Sequence, residues 1–172
     1  MTEDAFRPLA CVVATISDTR TPEGDRSGDL LAERLETAGH RIAERRILAD
    51  DRQSLVDAFG AWAGDSAVAV VVTTGGTGIT GRDVTPEAAA AVYTKAIPGF
   101  GELFRWLSYE EIGAATIQSR AQAGVAGDTL IFNLPGSSGA CRLAMDAIIL
   151  PQLDSRTRPC NFADLLPRLR EG

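Results

Sequence analysis

The sequence predicts an α/β domain of three layers, a mostly parallel sheet with helices on both faces. Three observations lead there. Strand-length apolar runs alternate with helical stripes from end to end. Two of those runs, LACVVATI (9–16) and AVAVVVTT (67–74), are almost unbroken, as strands covered on both faces are. No repeat and no linker interrupts the alternation, so residues 1–172 read as one domain.

The elements follow in order. After the first strand comes a polar loop, SDTRTPEGDRSG. Ser27 is placed to cap a helix in which Leu31, Leu35 and Ala38 recur at helical spacing and which Gly39 ends. RIAERRIL (41–48) alternates, the mark of a half-exposed strand near a sheet edge. Asp50 and Asp51 start a second helix, with Leu55, Val56, Phe59, Trp62 and Ala63 on one stripe. The third strand runs into VTTGGTGITGRDVTPEA, where four glycines (Gly75, Gly76, Gly78 and Gly81) fall within seven residues. Thr85 is the expected N-cap of the next helix. Pro86 then takes its first position, where a missing N–H costs nothing.

Phe100, Leu103, Phe104 and Leu107 form a fourth stripe. Ser108 and Glu111 have the spacing of a capping box, which would open a further short helix. SRAQAGVA and DTLIFNL flank a Gly-Asp pair and read either as an antiparallel hairpin or as two offset strands. PGSSG opens a last helix. It is apolar on two faces (Ala140, Leu143, Ala144, Ala147 and Ile148; Cys141, Met145 and Ile149), which suits the core or a subunit contact. The tail from Pro151 carries three prolines and is expected to lie over the surface or over a neighbouring subunit.

Charge and composition narrow the function. The net charge of −6 argues against a nucleic-acid partner, whose phosphates are met by Lys and Arg; RTRP (156–159) is the one basic cluster worth naming. No apolar run reaches the ~18 residues of a membrane span. The first residues, MTEDAFRPLA, carry acids where a signal peptide carries bases, so a cytoplasmic protein is expected. Cys11, Cys141 and Cys160 lack metal-ligand spacing and read as reduced thiols. His40 is the only histidine, at a helix end, which speaks against Ser-His-Asp or Cys-His catalysis.

Chemistry concentrates at the glycine loop. Gly76, Gly78 and Gly81 have dinucleotide-fingerprint spacing, but the helix start comes only at Thr85 and no acid-ended strand follows. That disfavours a nicotinamide or flavin oxidoreductase. A P-loop is excluded too: Arg82 and Asp83 stand where it needs Lys and Ser or Thr. The physics shared by both motifs remains. Glycines let main-chain N–H groups converge on an anion, and the loop leaves the carboxyl end of a buried strand. The Leu134–Gly139 loop has the same placement, and the first strand ends in Ser17 and Asp18. Two acids stand nearby, Asp83 and Asp50. Beside a phosphate they call for a cation, magnesium being the usual one. Asp50 also fits as a helix N-cap, and spacing alone leaves both roles open.

TTGGTG, RDVTPEA, IPGFGELFR, SRAQAGV and LPGSSGA together resemble the MoaB and Mog family of molybdenum cofactor biosynthesis proteins, related to a domain of gephyrin. The resemblance covers nearly the whole chain, and QLDSRTRPCNF is similar to the MoaB branch in particular. It implies a three-layer molybdopterin-binding fold in homotrimers or homohexamers. It implies molybdopterin as ligand and, in active members, transfer of AMP from ATP with Mg2+ onto the molybdopterin phosphate. The family's two functional aspartates fall on Asp50 and Asp83, which would also hold the metal. Its glycine loop falls on Thr74, Gly75, Gly76, Thr77 and Gly78, and its second loop on Pro135, Gly136 and Ser137. Ser138 stands where the family often has proline. Ser17, Asp18, Ser119 and Ser138 are further binding candidates. Some members of the MoaB branch bind without adenylating and lack the Arg-Asp pair, which this chain keeps, so a non-catalytic carrier of the same pathway is the alternative.

Overall fold

The computed structural model describes residues 5–169. Among them six strands make one sheet, ordered β2-β1-β3-β6-β5-β4. β1 (Ala10–Ile16), β2 (Arg41–Leu48), β3 (Val70–Thr74) and β6 (Thr129–Leu134) are parallel. β5 (Gln122–Ala126) pairs antiparallel with β6, and the short β4 (Lys95–Ala96) with β5. The hairpin is thus the realised arrangement of SRAQAGVA and DTLIFNL, turned at Gly127 and Asp128.

Strand alternation divides the core in two. Cys11, Val13, Val70, Val72, Leu130 and Phe132 face α1 (Arg26–Thr37), α4 (Pro98–Ile112) and α5 (Ser138–Ala144). Val12, Ala14, Ile16, Val71 and Ile131 face α2 (Arg52–Ala63) and α3 (Thr85–Ala90). Helices therefore cover both faces of a mostly parallel sheet, the predicted α/β sandwich. The chain passes from β1 to β2 on one side of it, then crosses back to β3 on the other. That reversal opens a crevice at the carboxyl ends of β1 and β3, where ligands bind in such sheets.

Several local readings give way to tertiary contacts. Asp25, not Ser27, caps α1, accepting from the Gly28 amide at 3.0 Å. The Ser27 hydroxyl instead donates to the Gly136 carbonyl at 2.8 Å. Thr85 is not the N-cap of α3, which is Val84; its hydroxyl donates to the Gly75 carbonyl at 3.0 Å. Ser108 starts no new helix, because it is buried within α4, which runs on to Ile112 and stops at Gly113 (φ +60°). A 3-10 turn, Gly113–Gln118, leads from there toward β5.

The last helix does not end at Pro151. A π-turn (Met145–Ile149), in which the Leu150 N–H reaches back to the Met145 carbonyl, leads into α6 (Leu150–Leu153). Such a wide turn gives a proline ring room that a regular helix lacks. The tail then folds as α7 (Phe162–Leu169), with Ala163 and Leu166 buried and Phe162 packed on the core of the same chain.

Candidate functional site

Two turns meet at the crevice. Gly75 leaves β3 at φ +106°, and a β-carbon there would sit 2.2 Å from the Ile16 carbonyl oxygen. Only glycine lets the loop pass so close to the end of β1. Its N–H donates to the Leu134 carbonyl at 2.9 Å, tying the loop to β6. A β-carbon on Gly76 (φ +69°) would meet the Thr85 hydroxyl at 2.3 Å and the Asp50 carboxylate at 3.1 Å. Both turns, Gly75–Gly78 and Pro135–Ser137, line one cavity of about 450 Å³. Its other wall comes from α4 and the turn beyond it: Phe104, Ser108, Ile112, Ala115, Gln118 and Ser119. The volume lies in the range of small-ligand sites.

The two carboxylates differ. Asp83 also lines the cavity, its carboxylate accepting from the Thr80 amide at 2.9 Å and the Thr80 hydroxyl at 2.7 Å. Burial pushes its pKa up. The Thr80 and Gly78 hydrogen bonds and the Arg120 charge outweigh that, so the carboxyl sits below its ordinary range. Asp50 lies above its ordinary range, raised first by burial and then by the negative charge of Asp83. It is not a helix cap. Asp51 has that role, accepting from the Ser54 amide at 2.8 Å, which leaves the Asp50 carboxylate free to face Gly76.

The remaining predicted residues divide. Ser17 accepts from the amides of Thr19 and Arg20, both at 3.2 Å, and shapes its own turn. Asp18 accepts from the Asp50 amide at 3.0 Å and pairs with Arg82, so the loops after β1, β2 and β3 are clasped together. Neither Ser17 nor Asp18 lines the cavity. Thr74 is buried beneath it and donates to the Pro135 carbonyl at 2.8 Å, setting the second turn from below. Ser137 caps α5, accepting from the Ala140 amide at 3.2 Å, while Ser138 begins that helix outside the cavity lining. Burial pushes the Cys141 thiol up to about 11, so it packs under the Pro135 turn as a neutral group.

Sequence reasoning gave no place in the site to Arg120, Ser108 or Gln118. Arg120 grips the glycine loop from β5's side, its Nε donating to the Gly78 carbonyl at 2.7 Å. Its presence in SRAQAGV was visible; its contacts, 33 to 42 residues away, were not.

A family described as probable molybdopterin binding domain matches residues 12–155. Molybdenum cofactor biosynthesis protein B of Escherichia coli K12 is 48% identical over 157 residues, 91% of this chain and 92% of that protein. Its Bacillus subtilis counterpart is 51% identical over 146 residues, 84% of this chain and 86% of that one. The chain belongs to this molybdopterin-binding family. The MoaB fold is shared as well: a crystal structure of molybdenum cofactor biosynthesis protein B matches with a TM-score of 0.88 at 46% identity, covering 98% of this chain and 99% of that one. A tungsten cofactor synthesizing MoaB from Pyrococcus furiosus matches with a TM-score of 0.76 at 34% identity, over 96% and 99%. Membership places this MoaB-like chain in molybdenum cofactor biosynthesis. Among the described residues no helix is long and apolar enough to cross a membrane.

Proposed function

We propose that this chain binds molybdopterin by its phosphate in the two-turn cavity and transfers AMP from ATP onto that phosphate. The observation that carries the reading is the meeting of both turns in one cavity that Asp83 lines, with Asp50 near enough to be raised by the Asp83 charge. The apolar wall of Phe104 and Ile112 suits a flat pterin ring, and the free amides of the turns suit its phosphate. A phosphate oxygen attacks the α-phosphorus of ATP. A new P–O bond forms, the bond to the β-phosphate bridge breaks, and pyrophosphate leaves with the electron pair. The protein supplies alignment and charge stabilisation and needs no nucleophile of its own.

Magnesium fits Asp50 and Asp83 by donor chemistry. They are two oxygen ligands whose mutual repulsion a divalent ion relieves. Among the described residues no cluster of three or more His, Cys, Asp or Glu forms, so phosphate oxygens would complete its shell. The ion would neutralise charge on the departing pyrophosphate. Asp50 and Asp83 hold their places through the Asp18–Asp50 and Thr80–Asp83 hydrogen bonds.

The carrier reading draws on one observation. Arg82 and Asp18 pair with each other, and that arrangement asks for no nucleotide. Incubation with molybdopterin and MgATP separates the two. Pyrophosphate release with adenylated pterin supports transfer, and Asp83→Asn then lowers turnover by about 10²-fold or more. Pterin retained without pyrophosphate overturns transfer in favour of the carrier. We also propose a cytoplasmic homotrimer or homohexamer, joined through the apolar ridge of α4 described below.

A further inference from the structure

We infer that Arg120 is the positioning residue of this site, fixing the glycine turn and the Asp83 carboxylate in the arrangement that receives a phosphate and its cation. The inference rests on the phosphate-binding reading above.

It follows from where the carbonyls point. In a trans peptide the C=O and the following N–H point in opposite directions. The one cis peptide among the described residues is Arg158–Pro159, far from the loop in sequence. Every carbonyl from Gly75 to Gly78 is held by the protein. The Thr85 hydroxyl donates to Gly75 O at 3.0 Å and the Thr85 amide to Gly76 O at 3.1 Å. The Arg120 amide donates to Thr77 O at 2.9 Å and its Nε to Gly78 O at 2.7 Å.

With the carbonyls anchored, the amides of Gly76 to Ile79 turn the other way. Among the described residues no hydrogen bond takes up those of Gly76 and Thr77. The Gly78 amide instead meets the Asp83 carboxylate. Arg120 thus holds two of the four carbonyls, Thr77 through its main-chain amide and Gly78 through its side chain, on the loop whose Gly78 amide meets Asp83. Its Nη2 donates to the Asp83 carbonyl at 2.9 Å, so it grips the same residue from its main chain.

The guanidinium is needed for its shape. Nε reaches Gly78, Nη2 reaches Asp83, and Nη1 pairs with Glu87 on α3, which keeps the fork in plane. A lysine keeps the charge, but its single nitrogen cannot span the acceptors that Nε, Nη1 and Nη2 reach separately. Arg120→Lys therefore separates geometry from charge, and Arg120→Ala removes both.

The test measures kcat and KM of AMP transfer and molybdopterin affinity by calorimetry, with thermal melting as the check on folding. Arg120→Lys is expected to lower kcat by about 10²-fold and to weaken molybdopterin binding about tenfold. Added guanidinium is expected to restore part of the activity of Arg120→Ala, which a general loss of packing would not allow. A folded Arg120→Lys protein with wild-type kcat and affinity overturns the role of Arg120 and leaves the functional reading standing. Wild-type protein that binds molybdopterin equally with and without its phosphate overturns both.

Discussion

Asp50 beside Gly76 and Asp83 in the cavity wall are shifted in opposite directions, and that asymmetry is a stability statement. Burial and the Asp83 charge raise the pKa of Asp50 in the folded chain. A carboxyl so raised binds more protons folded than unfolded, so stability falls as pH climbs through the window just above its ordinary value. At neutral pH the ionised group is a cost. Asp50→Asn is expected to raise the melting temperature by about 1–2 °C, on the order of 0.5 kcal/mol, while turnover falls. Thermal melts at pH 7 and pH 4 check the sign: the gain should shrink at the lower pH.

The pair was legible in the sequence because each acid follows a strand end, and strand ends share one edge of a parallel sheet. The glycine turn was legible for the same reason. The roles of Thr85 and Ser27 were not. Capping rules weigh only nearby amides, whereas these hydroxyls serve carbonyls 10 and 109 residues away.

Among the elements, the parallel strands declared themselves by apolar runs, and the edge strand β2 by its alternation. The boundaries that failed are those where burial overrode a local signal. Ser108 and Glu111 spell a helix start, yet the helix that packs Phe100 and Phe104 into the core carries straight through them. Pro151 spells a stop, yet the π-turn absorbs it. The two-residue β4 is too short to leave a periodic trace. The tail helix α7 has a strongly one-sided apolar pattern, hidden by Pro167 within it. Its contribution is measurable. Leu166 is 7% exposed and belongs to the larger core cluster. Leu166→Ala is expected to destabilise by about 2–3 kcal/mol in denaturant unfolding, with phosphate-ligand affinity unchanged because the helix lies away from the cavity.

At the scale of the whole molecule, the described residues expose an apolar ridge along α4. Leu103, Trp106 and Tyr109 follow one another along α4, exposed by 41%, 69% and 58%. Ile112, one turn on, is 54% exposed and also lines the ligand cavity. Exposed apolar ridges of this kind are characteristic of subunit contacts. If the proposed trimer or hexamer forms there, Trp106→Glu is expected to yield monomers in analytical ultracentrifugation; an unchanged sedimentation profile would move the contact elsewhere.

At the opposite rim the two ends of the described chain are stitched together. Ser155 Oγ accepts from the Arg7 amide at 3.1 Å and donates to the Ala5 carbonyl at 2.9 Å, and Arg7 pairs with Asp164 on α7. None of these four residues lines the cavity of the glycine turn, so loosening the clasp is expected to leave that cavity's shape intact.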